Sequence, residues 1–157
     1  MQDLAQRIQR LEDIESIRQL KARYFHACDR KQIDAIRECF VEGPLLIDYG
    51  AIGRFSDREA FLAIYQEMAC HAYVIDMHHG QNAQIEWQSN TDASAVWDLY
   101  FYQINQNTGM LTQLAGYYRD RYVKTQAGWQ IAETIFTPSS TLITRMESGS
   151  LQVMMAG

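Results

Sequence analysis

The chain lacks the features that would assign it to a specialised class. Its three cysteines, Cys28, Cys39 and Cys70, include no CxxC pair. Such an odd, scattered set builds no disulfide framework and reads as free, buried thiols in a reducing compartment. No apolar run approaches the roughly 20 residues that a membrane-spanning helix needs. The opening MQDLAQRIQR is not a secretion signal. Positive charge is in the minority, with 14 Lys and Arg against 19 Asp and Glu and a net charge of −5. That balance argues against a broad nucleic-acid face. There is no G-x-S-x-G, no phosphate-binding glycine loop and no metal-ligand set. Repeats, low-complexity tracts and linkers are also missing. The expectation is one cytoplasmic domain over residues 1–157. A hydrophobic fraction of 47% and a charged fraction of 21% give it an ordinary globular composition.

What is present begins with helices. Leu4, Ile8, Leu11, Ile14, Ile17, Leu20, Tyr24 and Ala27 recur every three or four residues, predicting one long amphipathic helix over about 3–28. Arg7, Arg10, Glu12, Lys21 and Arg23 fall on its other side. Asp29 follows, where the negative end of the helix dipole disfavours a carboxylate. Either it caps a short helix over about 31–40, or it points inward and holds a basic partner. Glu42-Gly43-Pro44 ends that helix. Leu45–Tyr49 reads as a strand closed by Gly50 and Gly53. A third helix begins at Ser56 or Asp57 and runs toward Tyr73, with His71 solvated near its end.

The remainder is β-rich. Residues 93–104 and 110–124 and a strand from Trp129 to Phe136 carry aromatic and β-branched residues between turn signals. The tail from Pro138 is weakly patterned. Helices gathered on one side of a curved, mainly antiparallel sheet make an α+β cone with a cavity beneath them. In the strand Tyr118, Asp120 and Tyr122 alternate with Tyr117, Arg119 and Arg121, so one face bears charge or meets a partner.

The stretch that carries chemistry is Tyr73–Trp87, YVIDMHHGQNAQIEW. Two of the four histidines stand side by side in it, at His78 and His79. Imidazole is the side chain suited to general-base work near neutrality. The pair either serves a pocket or is structurally satisfied. Neighbouring strand residues face opposite ways, so at most one lies in a pocket unless a bulge near Gly80 resets the parity.

Three features together resemble the SnoaL-like and scytalone-dehydratase-like branch of the nuclear transport factor 2-like superfamily. They are Tyr24 followed five residues later by Asp29, the segment His78-His79-Gly80-Gln81-Asn82, and the hairpin Gly116–Tyr122 with Gly128–Ile131. The first is similar to bile-acid dehydratases, and the second to lindane dehydrochlorinases and scytalone dehydratases. The resemblance implies a cofactor-independent lyase or isomerase. Asp29 and His78 would be the acid–base dyad and Tyr24 the polar group over the substrate. Asp98 would be a pocket carboxylate. Arg145 would replace the arginine that relatives carry near Glu133-Thr134.

Tyr49, Tyr65, Tyr100 and Tyr118, with His79, are further candidates for the substrate side. The aromatic residues favour a hydrophobic, ring-bearing substrate such as a polyketide, steroid or aromatic catabolite. Two alternatives stay open. One is a polyketide-cyclase-like enzyme with Asp98 or Asp29 as base, the other a non-catalytic binding or subunit-interaction module. A homodimer or homotrimer is expected, joined through the outer sheet face bearing Tyr117, Arg119 and Arg121, with no nucleic-acid or membrane partner. In the dyad reading, His78 and not His79 contacts Asp29.

Overall fold

The computed structural model describes residues 3–157. Helix α1 spans Leu4–Asp29 without a Gly or Pro to interrupt it. Ile17, Leu20, Tyr24 and Ala27 of its stripe are buried, but Leu4, Ile8 and Leu11 are exposed. The sheet explains the difference. Asp13 meets the strand-end residues Trp87, Lys124 and Trp129, so the helix gains its cover there and projects beyond it. Two polar residues replace the missing apolar ones. Asp13 and Lys21, the latter expected on the solvated side, are fully buried. Both fall on the buried stripe by spacing, in the series Asp13, Ile17, Lys21, Tyr24, Cys28.

Asp29 ends α1, and the short helix α2 (Ile33–Glu38) is preceded by Gln32 rather than capped by Asp29. Strand β1 (Leu46–Asp48) pairs with β2 (Arg54–Phe55), a short strand the sequence did not announce. Helix α3 (Arg58–Ala69) starts as expected, with the Asp57 carboxylate accepting from the Ala60 N–H at 2.8 Å. It stops short of His71.

Four long strands follow: β3 (Val74–Trp87), β4 (Asp92–Asn105), β5 (Met110–Thr125) and β6 (Gly128–Glu147). The tail is ordered as the second half of β6 and a hairpin strand, β7 (Ser150–Ala156). One sheet results, in the order β2-β1-β6-β5-β4-β3, with β7 paired to β6. It is antiparallel except where β1 runs parallel to β6. The helices cover its inner face. Ala93, Ala95, Trp97 and Leu99 of β4 face them, as do Tyr118 and Tyr122 of β5 and Trp129 and Ile131 of β6. This is the α+β cone expected from the order of elements. No helix among the described residues is long and apolar enough to cross a membrane.

Candidate active site

The site forms where the C-terminus of α1 meets β3. Asp29 Oδ1 lies 2.6 Å from His78 Nδ1. The same carboxylate accepts from the His78 backbone N–H at 3.1 and 3.2 Å. The carboxylate thus answers an unfavourable helix dipole with a donor on the neighbouring strand, and fixes backbone and ring together. The contact to Nδ1 puts the neutral ring's proton on that nitrogen and leaves Nε2 as the basic one. Phe25 stacks on the imidazole with centroids 5.4 Å apart, and Phe101 lies at 4.7 Å on a tilt. The ring has little room to turn.

His79 points the other way and lies against Tyr100 on the outer sheet face, with centroids 6.3 Å apart. Ile85 and Trp87, which share odd numbering with His79, nevertheless face inward with His78. The pairing of β3 with β4 shifts between Gln81 and Gln84, and Asn82 there takes a positive φ of 54°. A bulge just past Gly80 therefore resets the parity. Asparagine tolerates this left-handed backbone better than most residues.

His78 opens onto a cavity of about 200 Å³, whose walls include Tyr24, Tyr49, Tyr65, Tyr118, Phe136 and Asp76. The Tyr24 and Tyr49 hydroxyls are 2.7 Å apart. Burial raises the pKa of both phenols and of Tyr118, so they stay protonated near neutral pH. Tyr65 is already committed, donating its hydroxyl proton to the Cys28 carbonyl at 2.5 Å. A larger, open groove of about 1,090 Å³ lies between α1, α2 and the β5–β6 turn. Its lining includes Gln19, Arg23, Gln32 and Glu38, and neither Asp29 nor His78 lines it.

The profile of the SnoaL-like domain family matches residues 9–135. The chain belongs to the SnoaL-like domain family. Solved structures share the fold at low identity. A protein assigned as a scytalone dehydratase from Novosphingobium aromaticivorans superposes with a TM-score of 0.78 at 19% identity, over 85% of this chain and 88% of that one. The hexachlorocyclohexane dehydrochlorinase LinA-type3 of Novosphingobium barchaimii gives 0.72 at 17%, over 83% and 92%. An NTF2-like protein with a cystatin-like fold from N. aromaticivorans gives 0.72 at 22%, over 88% and 92%.

Within this SnoaL-like chain, four expected site residues lie outside the cavity. Odd-numbered β4 residues face in, so Asp98 and Tyr100 face out with His79. Asp98 accepts from Asn82 Nδ2 at 2.8 Å, and Tyr100 from Gln113 Nε2 at 3.0 Å. Arg145 sits beyond the cavity on β6, beside Met110 and 3.8 Å from Glu147.

The sequence reading also passed over polar groups that the fold brings in. Asp76, two residues before His78 on the same face, is a buried carboxylate in the cavity wall. It is ion-paired with Lys31 and accepts from Gln103 Nε2 at 2.9 Å. Beneath Tyr118, Lys21 Nζ lies 2.7 Å from Asp120 Oδ2 and 3.8 Å from the Tyr118 ring centroid. Tyr122 donates to Asp120 at 2.6 Å, and Trp97 to Tyr122 at 3.0 Å. Burial lowers the Lys21 pKa even with Asp120 beside it. Inward spacing on β3 and β5 was the available signal for Asp76 and Asp120.

Proposed function

We propose that this chain is a cofactor-independent lyase or isomerase that removes a proton next to a carbonyl, with His78 as base and Asp29 as its orienting partner. The observation that carries this reading is the 2.6 Å contact between Asp29 and His78 Nδ1 on the wall of an aromatic cavity. Nε2 takes the proton, and Asp29 stabilises the imidazolium that forms. The carbonyl oxygen accepts from the Tyr24–Tyr49 hydroxyl pair as negative charge grows on it. The C–H electrons become a carbon–carbon double bond as the leaving group departs from the next carbon. Where that group is hydroxide, the imidazolium returns its proton and water leaves. Where no group leaves, the proton returns to another carbon and the double bond has migrated.

Size narrows the substrate. An apolar cavity of about 150 Å³ is known to take benzene, so about 200 Å³ suits one substituted ring better than a steroid skeleton. Asp98 on the outer face weakens the polyketide-cyclase alternative that used it as base. The buried thiols Cys28 and Cys39, with burial holding Cys39 up at about 11, fit a reducing, cytoplasmic setting. We also place the chain in a homo-oligomer.

The test is a panel of single-ring β-hydroxy and β-halo ketones, followed by the absorbance of the conjugated product. Wild type should turn over a member of the panel. His78→Ala should lose roughly two to four decades of rate, and His79→Ala should lose little. If no member reacts, yet wild type and His78→Ala are stabilised equally by unreactive ring ketones in thermal melts, the chain is a binding module.

A further inference from the structure

The cavity wall has a polar end that the proposed proton abstraction leaves unused. Asp76 stands two residues before His78 on β3 and faces the same way. Gln103, its cross-strand partner on β4, faces in beside it. Most of the remaining wall is aromatic or aliphatic, with Phe61, Leu99, Phe101, Leu114 and Phe136 among its residues. A carboxylate in such a wall is unfavourable unless its charge is answered. Lys31 answers it, reaching Asp76 Oδ2 from outside the cavity lining, while Gln103 Nε2 donates to Oδ1 at 2.9 Å.

The chain accepts backbone strain to make this pairing. Lys31 follows the end of α1 and takes a φ of 59°. Its N–H donates to the Cys28 carbonyl, and the Gln32 N–H donates to the Ala27 carbonyl. In this way of ending a helix the left-handed residue is usually glycine. Lysine there carries strain that glycine would avoid. What lysine supplies, and glycine would not, is an ammonium on Asp76.

The two contacts use one lone-pair site on each carboxylate oxygen. A carboxylate offers about four such sites, so Asp76 keeps acceptor capacity toward the cavity. It repels an anion, and a second cation would have to share it with Lys31. A neutral hydroxyl meets neither obstacle. Residues two apart on a strand are separated by about 6.6 Å, close to the span of one aromatic ring with its substituent.

We infer that Asp76 is a specificity-determining residue that accepts a hydrogen bond from a hydroxyl on the far side of the substrate's ring. Gln103 and Lys31 are positioning residues that hold its carboxylate in place. The inference rests on the proposed reading that ring ketones occupy the cavity with the reacting carbon at His78.

Calorimetric titration with 4-hydroxyacetophenone and with acetophenone tests it and needs no turnover. Wild type should bind the hydroxylated ketone more tightly by roughly ten- to a hundred-fold, the worth of a hydrogen bond to a charged acceptor. Asp76→Ala should bind both alike. Lys31 is partly exposed and can turn its ammonium to water in that variant, and far-UV circular dichroism checks the fold. Asp76→Asn, which keeps the shape without the charge, should shrink the preference if Asp76→Ala does not fold. His78→Ala should retain the preference. A preference that persists in a protein turning over no ketone would support this inference while sinking the base chemistry. Wild type binding both ketones equally, or neither, would overturn it. So would a preference unchanged in the Asp76 variants, the result expected if Asp76 only ties the end of α1 to β3.

Discussion

Asp29 holds the His78 backbone N–H and its Nδ1, and in the proposed mechanism it also stabilises the imidazolium; the two roles can be separated by substitution. Asn in its place keeps an oxygen for the His78 backbone N–H and for Nδ1–H, but loses the charge that stabilises the imidazolium. Asp29→Asn should therefore slow turnover by less than the roughly two to four decades assigned to removing the base itself. The check is kcat for both variants on one substrate. If Asp29→Asn proves the more damaging of the two, His78 is not the base. A second residue-scale prediction concerns Lys21 and Asp120, which have no solvent to fall back on. Removing one partner of a buried pair strands the other, at about 3–5 kcal/mol, whereas removing both can be close to neutral. Asp120→Asn should cost that much in urea denaturation. Adding Lys21→Met should recover most of it, and no recovery would mean that the Tyr122 contact dominates.

At the scale of elements, the bulge in β3 decides which histidine meets the cavity. Asn82 holds a left-handed backbone at φ 54°. Asn82→Gly should be nearly neutral, but Asn82→Val should cost about 1–2 kcal/mol and lower activity as β3 seeks a regular register. Equal stabilities for the two variants would show that the positive φ carries no strain. Just before the bulge, a Cβ at Gly80 would overlap the Phe25 ring that stacks on His78. Gly80→Ala should disturb His78, the proposed base, without touching it.

These elements also show what could be read beforehand. The helix periodicity, the Asp57 cap, the β-rich composition of β4 and the alternation in β5 are local signals, and with the order of elements they sufficed for the cone. The contact between Asp29 and His78 was legible because the Tyr24–Asp29 spacing and the His78–Asn82 segment resemble those of a family. The inward turn of Asp76, Lys21 and Asp120 was readable from spacing but masked by the habit of placing charge in water. Asp98, Tyr100 and Arg145 were misplaced because strand parity and strand length are set by pairing across the sheet, which a local pattern does not carry. The β7 hairpin went unread for the same reason. Its pairing with β6 follows from the turn at Ser148 and Gly149, both at positive φ, and not from any apolar alternation.

For the molecule as a whole, the buried phenols and thiols set its response to alkali. Tyr24, Tyr118, Tyr122 and Cys28 are all nearly inaccessible to water, and burial raises each pKa above its ordinary value of 10.0 for tyrosine or 9.0 for cysteine. In the unfolded chain these groups release protons at their ordinary values, while in the folded chain they keep them. Their contribution to stability is therefore complete below about pH 9 and is lost as pH rises past 9 and then 10, toward the folded-state values. Lys21, lowered by burial, acts in the opposite sense over the same range, but it is one group against these four and against Tyr49 and Cys39, which burial also raises. Each proton held only by the folded state costs about 1.4 kcal/mol per pH unit. Above pH 10 the four together remove roughly 5 kcal/mol per unit, against a total stability of about 5–15 kcal/mol. On the acid side the loss should be gentler. The Asp13 pKa is lowered, because hydrogen bonds from Lys124, Trp129 and Trp87 together outweigh the opposing effect of burial. Its contribution persists until pH falls below the ordinary value of 3.8. Thermal melts from pH 4 to pH 11 should show a broad plateau and then a collapse beginning between pH 9 and 10. A melting temperature unchanged through pH 11 would mean that these phenols and this thiol reach water in the folded chain, and that the aromatic wall beside His78 is looser than its packing implies.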